Sequence, residues 1–198
     1  ILISNKIEKL PIVDQAFHIK GLITATDIIK NYNSVSVSRD NKGRLLVGAA
    51  VGVGKDALER AKALVGAQVD VLVVDIAHGH SDHAIETIQK LKKLYPTIEI
   101  IAGNVATAQA AKDLIQVGAD CIKIGIGPGS ICTTRITTGF GVPQLTAILN
   151  ITPVCKKYDI PCIADGGIKT SGDLVKALAA GADSVMMGGQ FSGTEETP

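Results

Sequence analysis

An α/β fold of the (β/α)8 TIM-barrel kind, laid out on a parallel sheet, is predicted by three observations. From residue 45 onward a short β-branched apolar run, a Gly-rich or polar break and a helix-forming stretch recur in that order. The runs are apolar at consecutive positions, as in strands covered on both faces, which is the habit of parallel sheets. A short echo, VGAQVD at 65–70, VGAD at 117–120 and AGAD at 180–183, leads each time into the next apolar run, as repeated units would.

Taken in order, residues 1–33 read differently from the rest. LPIVD (10–14) and IKGLIT (19–24) are two short strands joined by a turn, and TATDIIKNY (24–32) is a helix. A ββα piece of this size buries too little surface to stand alone, so it is expected to pack on something else. Residues 34–44, SVSVSRDNKGR, are polar with Gly43 as a turn marker and form a linker. Six strands then follow, at 45–51, 71–75, 98–102, 121–124, 161–164 and 184–187. Between them lie KDALERAKALV, SDHAIETIQKLKKLY, ATAQAAKDLIQV, PQLTAILNITPVCKKY and SGDLVKALAA, whose apolar residues fall three and four apart, as in helices packed on a sheet. Gly66, Gly118 and Gly181 stand where helix C-caps need a left-handed residue. Six units of about 26 residues do not complete a barrel, which typically takes about 250 residues. Either the sheet is open and six-stranded, or two units are missing.

The composition fits a folded chain with one large domain or two small ones. Of 198 residues, 46% are hydrophobic and 20% charged, with a formal charge of +1. These values exclude collagenous and disordered classes and give no support to a nucleic-acid or membrane-surface binder. Three Phe, three Tyr and no Trp leave the core to Val, Ile, Leu and Ala, while the 21 glycines exceed an average share and must serve turns or close approach to a ligand. Cys121, Cys132, Cys155 and Cys162 form no CxxC pair or metal-ligand spacing, so free thiols in a reducing cytoplasm are expected. No apolar run is long enough to span a bilayer and no signal-peptide pattern opens the chain. The first residue is Ile, so the chain is expected to begin inside a longer protein.

In parallel α/β folds ligands bind at the C-terminal ends of the strands. The segments there are GVG (52–54), DIAHGH (75–80), GNVAT (103–107), GIGPGSICTTR (125–135), DGGIK (165–169) and GGQFSGTEE (188–196). Backbone amides at Gly166, Gly167, Gly188 and Gly189, with Ser130, can cradle a phosphate, because no Cβ blocks the anion. The other reading is a set of tight βα turns. Asp165 can accept hydrogen bonds from ribose hydroxyls. Alternate glycines at 125, 127 and 129 allow carbonyls to turn inward onto a monovalent cation. Cys132 lies beside hydroxyls and Arg135, a setting that raises the thiolate fraction and suits a nucleophile. The other three cysteines read as small buried hydrophobes. His78, His80 and His83 invite a metal reading, but other strand ends offer no further His, and a metal hydrolase is set aside. Asp75 either holds a cofactor ribose or caps its own loop.

The motifs GAAVGVG, VDIAHGH, GNVAT, GIGPGSICTTR, GVPQ, ADGGIK and GTEETP, in that order over residues 44–198, closely resemble inosine-5′-monophosphate (IMP) dehydrogenase. KIEKLPIVD followed by IKGLITATDIIK resembles the end of a CBS motif, the regulatory module inserted between the second and third barrel units of that family. The resemblance implies an incomplete TIM barrel at 45–198, with the first two units upstream of the insert. It implies that Cys132 attacks C2 of the purine of IMP, that NAD takes the hydride, and that the resulting thioimidate is hydrolysed to xanthosine monophosphate. Thr134 would help position the water. Ser130, Asp165, Gly166, Gly167, Gly188 and Gly189 would hold the nucleotide. Asp75, Asn104, Gly125, Ile126 and Gly127 would contact NAD, and carbonyls of Gly127, Gly129 and Cys132 would bind potassium.

A cytoplasmic homotetramer is expected when full length, with adenine or guanine nucleotides as possible effectors at the CBS module, and no membrane or nucleic-acid partner. Pro198 precedes the family's flap, so the 198 residues alone are expected to be inactive. The Gly188–Gly189 pair is shared with GMP reductase, a related barrel that uses NADPH to deaminate GMP. The CBS-like start and the GTEE ending favour the dehydrogenase. A catalytically inactive nucleotide-binding protein is the third alternative.

Overall fold

The computed structural model describes residues 1–33, 37–195 and 197. Residues 34–36 of the expected linker, and Glu196 and Pro198 of the GTEETP ending, lie outside the described residues. The chain divides into two compact units, Ile1–Leu46 and Val47–Pro198.

The first unit holds α1 (Leu2–Asn5), β1 (Lys9–Val13), β2 (Ile19–Thr24) and α2 (Ala25–Asn33). The two strands pair antiparallel, with Lys9 opposite Thr24 and an irregularity between Ile12 and Val13. Thr24 and Asp27 cap the start of α2 reciprocally: Thr24 N–H donates to Asp27 Oδ2 (2.9 Å), and Asp27 N–H to Thr24 Oγ1 (3.1 Å). Ile12, Ile19, Leu22 and Ile29 are all exposed, so this unit has little core of its own. The expected strand at 45–51 starts late. Asp40 accepts from the N–H groups of Lys42 and Arg44 and from Arg44 Nε, which folds 39–45 into a tight turn closed by an Arg39–Leu45 bridge.

The second unit contains β3 (Gly48–Val51), α3 (Ala57–Gly66), β4 (Val71–Asp75), α4 (Asp82–Leu94), β5 (Glu99–Val105), α5 (Ala108–Gln116), β6 (Cys121–Ile124), α6 (Thr134–Thr138), α7 (Gln144–Tyr158), β7 (Cys162–Asp165), α8 (Ser171–Ala179) and β8 (Ser184–Met186). The strands lie in the order β3-β4-β5-β6-β7-β8, and every pairing is parallel. Each strand is laid beside its predecessor with no reversal of order. With right-handed crossovers this winds all the helices onto one face, the arrangement of a barrel wall and not of a doubly wound sheet.

The two faces bear this out. Leu72, Val74, Ile100, Ala102, Ile122, Ile124, Cys162 and Ala164 alternate along the strands and pack against α3, α4, α5 and α7 through Ala61, Ile88, Leu91, Leu114 and Ile151. Each aliphatic side chain so buried contributes roughly 1.5–3 kcal/mol. The opposite face carries Val71, Ile101, Cys121 and Ile163, all only part-buried, Met186, which is exposed, and the buried Val73 and Lys123. The helix residues of the buried core pack on the other face, which leaves this one as the side a barrel turns inward. Cys121 therefore departs from the expected buried thiol, whereas Cys155 and Cys162 are fully buried.

The sequence echo has a structural cause. Asp70, Asp120 and Asp183 each accept, through Oδ2, the N–H at the start of the neighbouring strand: Val47 (2.8 Å), Ile100 (2.7 Å) and Cys162 (2.8 Å). Gly118 and Gly181 reverse the chain two residues earlier with φ of 103° and 106°. Gly66 does not, contrary to expectation. It remains in α3, and Gln68 takes the reversal at φ 64°, because Gln68, not Gly66, stands two residues before the aspartate. Helices α1 and α6 have too few residues to show a period, and neither was expected.

Candidate active site

The C-terminal ends of β4 to β7 converge on a buried cation that the sequence reading did not single out. Lys123, on β6, is 2% exposed, and a buried ammonium is tolerated only when paired. Its Nζ donates to Asp75 Oδ1 at the end of β4 (3.0 Å) and to Asp165 Oδ2 at the end of β7 (2.6 Å). Asn104 Nδ2 donates to the same Asp165 oxygen (2.9 Å) and to the Gly125 carbonyl (2.9 Å). Gln144 Nε2 closes the group by donating to the carbonyls of Ile124 (2.9 Å) and Asp165 (3.3 Å). A Cβ at Gly103 would stand 2.6 Å from the Lys123 carbonyl oxygen. Strand β5 therefore continues through Gly103 and Asn104, where the sequence suggested a loop. The one signal for Lys123 was a charge in the four-residue apolar strand CIKI.

Above this group three loops meet. A Cβ at Gly166, where φ is 85°, would lie 3.0 Å from Gly129 N and 3.2 Å from Pro128 Cγ, so the Asp165–Lys169 turn sits directly against the Cys132 loop. The same construction at Gly189 ends 3.4 Å from Ser130 Oγ. Gln190 Nε2 donates to the Lys169 carbonyl (2.7 Å) and ties the last two loops together. Ser130, Gly166 and Gly189 thus come to one place from segments far apart in sequence.

Cys132 is part-exposed, with its N–H on the Gly129 carbonyl (3.2 Å) and Sγ 3.3 Å from the Thr134 hydroxyl. That hydroxyl, then the Thr134 N–H and the charge of Arg135, hold the thiol below its ordinary range. Arg135 donates to the Val142 carbonyl (2.7 Å), and its stem lies where side chains at Gly127 and Gly141 would be. By contrast, burial pushes the Cys121 thiol up to about 12. A hydrogen bond to Cys162 and burial push Cys155 up.

A cleft of about 560 Å³ opens beside α6, lined by Ala77, His78, His80, Asn104, Thr107, Ile126, Thr134 and Phe140 among others. Asn104, Ile126 and Thr134 face it. Asp75, Gly125 and Gly127, expected beside them, are absent from its lining; Asp75 is instead bound to Lys123. His80 Nε2 lies 2.8 Å from Asp113 Oδ2, so its imidazole is tied to a carboxylate. Among the described residues no three His, Cys, Asp or Glu gather as for a metal ion.

The IMP dehydrogenase / GMP reductase domain matches residues 8–198. Inosine-5′-monophosphate dehydrogenase of Aquifex aeolicus is 60% identical over 193 residues, 98% of this chain and 39% of that protein. GMP reductase of Leishmania major is 52% identical across the whole chain and 41% of its own length. A crystal structure of GMP reductase from Trypanosoma brucei superposes with a TM-score of 0.90 at 51% identity, covering all of this chain and 45% of that one. Another, in complex with guanosine 5′-monophosphate, gives 0.87 at 51% identity, with 42% of that chain covered. The chain spans about two fifths of the length of the curated relatives it matches. Because the Leishmania reductase aligns with the first residues too, the start of the chain does not separate dehydrogenase from reductase as expected. The whole-chain match, together with the converging loops around Cys132, establishes that the chain belongs to the IMP dehydrogenase / GMP reductase family.

Proposed function

We propose that this chain forms the greater part of the catalytic barrel of an NAD-dependent IMP dehydrogenase, and that residues 1–33 are the end of a CBS domain. The observation that carries the reading is the Cys132 thiol, 3.3 Å from the Thr134 hydroxyl that lowers it, on a loop that abuts Gly166 and two residues from Ser130. In this reading Ser130 and the amides of Gly166, Gly167, Gly188 and Gly189 take the phosphate of IMP, and Asp165 takes its ribose hydroxyls. The Cys132 thiolate adds to purine C2, forming a C–S bond, and the C2 hydrogen leaves as hydride. NAD, when bound, supplies the acceptor for that hydride. Water, positioned with the help of Thr134, then adds to the thioimidate carbon. The C–S bond breaks, giving xanthosine monophosphate and the free thiol.

The residues fit the groups this chemistry requires. The cleft is walled mainly by small apolar side chains, as a flat heteroaromatic ring demands. Asn104 lines it, and its buried Oδ1 has no donor among the described residues. Ile126 lines the cleft too, while Asp75, Gly125 and Gly127 would add their NAD contacts from outside its lining. The carbonyls of Gly127, Gly129 and Cys132 are neutral oxygen donors with no carboxylate among them, a set suited to potassium. A cytoplasmic homotetramer with purine-nucleotide effectors at the CBS module belongs to the same proposal.

A second reading, GMP reductase, is favoured by the Gly188–Gly189 pair and by the reductases among the relatives. There the same thiol would attack C2 of GMP, and ammonia would leave. Assay of the full-length protein with IMP and NAD, and separately with GMP and NADPH, tests the proposal. NADH formation with IMP is expected. NADPH consumption with ammonia release from GMP, and no NADH from IMP, overturns it in favour of the reductase, and no turnover with either pair overturns both.

A further inference from the structure

We infer that Lys123 is a positioning residue that couples two ligand sites, so that occupancy at Asp165 changes affinity at Asp75. The inference rests on the reading of Asp165 as acceptor for the substrate ribose and Asp75 as acceptor for the cofactor ribose. The ammonium is 2% exposed, and one oxygen of each carboxylate is committed to it: Oδ1 of Asp75 at 3.0 Å and Oδ2 of Asp165 at 2.6 Å. Asn104 donates to the same Asp165 oxygen as Lys123 does. The second oxygen of each carboxylate makes no hydrogen bond among the described residues and is left to accept from a ligand hydroxyl.

Asp75 and Asp165 differ in how firmly they are held. Asp165 is 24% exposed and carries two donors, whereas Asp75 is 47% exposed and, among the described residues, hangs on Lys123 alone. A riboside on Asp165 shields the Asp165–Lys123 contact from water and stiffens the ammonium. Because Lys123 is the fixed point of Asp75, part of the ordering that a second riboside needs at Asp75 is then already done, which is positive coupling. By linkage the effect is reciprocal. The chemical class is two vicinal diols bound side by side, one per carboxylate, with a shared cation between them.

The test uses the full-length protein in a Cys132→Ala background, so that both ligands can be present without turnover. The dissociation constant of IMP is measured by calorimetry with and without saturating NAD. The expected tightening is about fivefold or more, reduced to less than twofold in Lys123→Gln. A merely structural lysine would alter melting temperature without touching this ratio. No tightening in the Cys132→Ala parent, or an unchanged ratio in a folded Lys123→Gln protein, overturns the coupling. Should Lys123→Gln fail to fold, Asp75→Asn decides: IMP affinity without any dinucleotide must change about threefold or more, and unchanged affinity overturns the proposal. If IMP does not bind, the titrations are run with GMP and NADPH. Failure of both pairs refutes the nucleotide reading itself, and the coupling with it.

Discussion

Substituting Gly166 by alanine separates backbone strain from damage to the site. Gly166 has φ 85°, and an added Cβ would stand 3.0 Å from Gly129 N and 3.2 Å from both Gly129 Cα and Pro128 Cγ. Left-handed backbone costs a residue with a Cβ about 1–2 kcal/mol, and here the 128–129 backbone must also withdraw by a few tenths of an ångström. Gly43 supplies the control, with φ 78° and nothing within 4 Å of the same added atom. Gly166→Ala should lower the melting temperature of the second unit by roughly 2–8 °C, at about 2–4 °C per kcal/mol for a unit of this size, and Gly43→Ala carries the same backbone cost in the first unit. Only Gly166→Ala should weaken nucleotide binding, by about tenfold or more, equivalent to about 1.4 kcal/mol, because the displaced backbone leads directly into Ser130 and Cys132. Calorimetric titration of IMP or GMP, whichever the full-length protein takes, reads the difference. Equal affinity in Gly166→Ala and Gly43→Ala would refute the argument that the two loops form one cradle.

The thiol chemistry gives two further expectations. Since the Thr134 hydroxyl lowers the Cys132 thiol, Thr134→Val should raise it, moving the pH profile of alkylation by iodoacetamide to higher pH and slowing the reaction at pH 7; an unmoved profile contradicts the assignment. In the intact protein, peptide mapping should find Cys132 labelled before Cys121, Cys155 and Cys162; prior labelling of Cys155 or Cys162 would be contrary to their burial, and of Cys121 to its raised thiol. Asp113→Asn loosens His80 in the cleft wall. Both partners are about one-third exposed, so stability should move by less than about 1 kcal/mol, while the dinucleotide KM rises about two- to fivefold. An unchanged KM argues against the cleft as the dinucleotide site.

Local pattern carried most of the second unit because its information is local: the strands are apolar on consecutive residues, and the helices have a period that three or four turns make visible. The boundaries that moved did so for tertiary reasons. Gly103 reads as a break, yet it belongs to β5 because only a residue without Cβ lets Lys123 pass. The echo misled at Gly66, because the repeat is anchored on the aspartate and not on the glycine. Lys123 stayed hidden because its partners lie 48 and 42 residues away in sequence. Only the order of the strands brings the three together. Cys132, Ser130 and the Gly166 turn were legible because glycine and hydroxyl clusters after strands have few structural alternatives. Their convergence was not, since it depends on adjacency of β6, β7 and β8.

Catalysis as proposed requires a covalent bond between Cys132 Sγ and the purine. Acid quench of the full-length protein during its first turnover with IMP and NAD, followed by peptide mass mapping, measures this directly. A purine-nucleotide mass increment on the peptide carrying Cys132, absent from Cys132→Ala, is the predicted result. Turnover that survives Cys132→Ala, or an adduct on Cys121, Cys155 or Cys162, would contradict it.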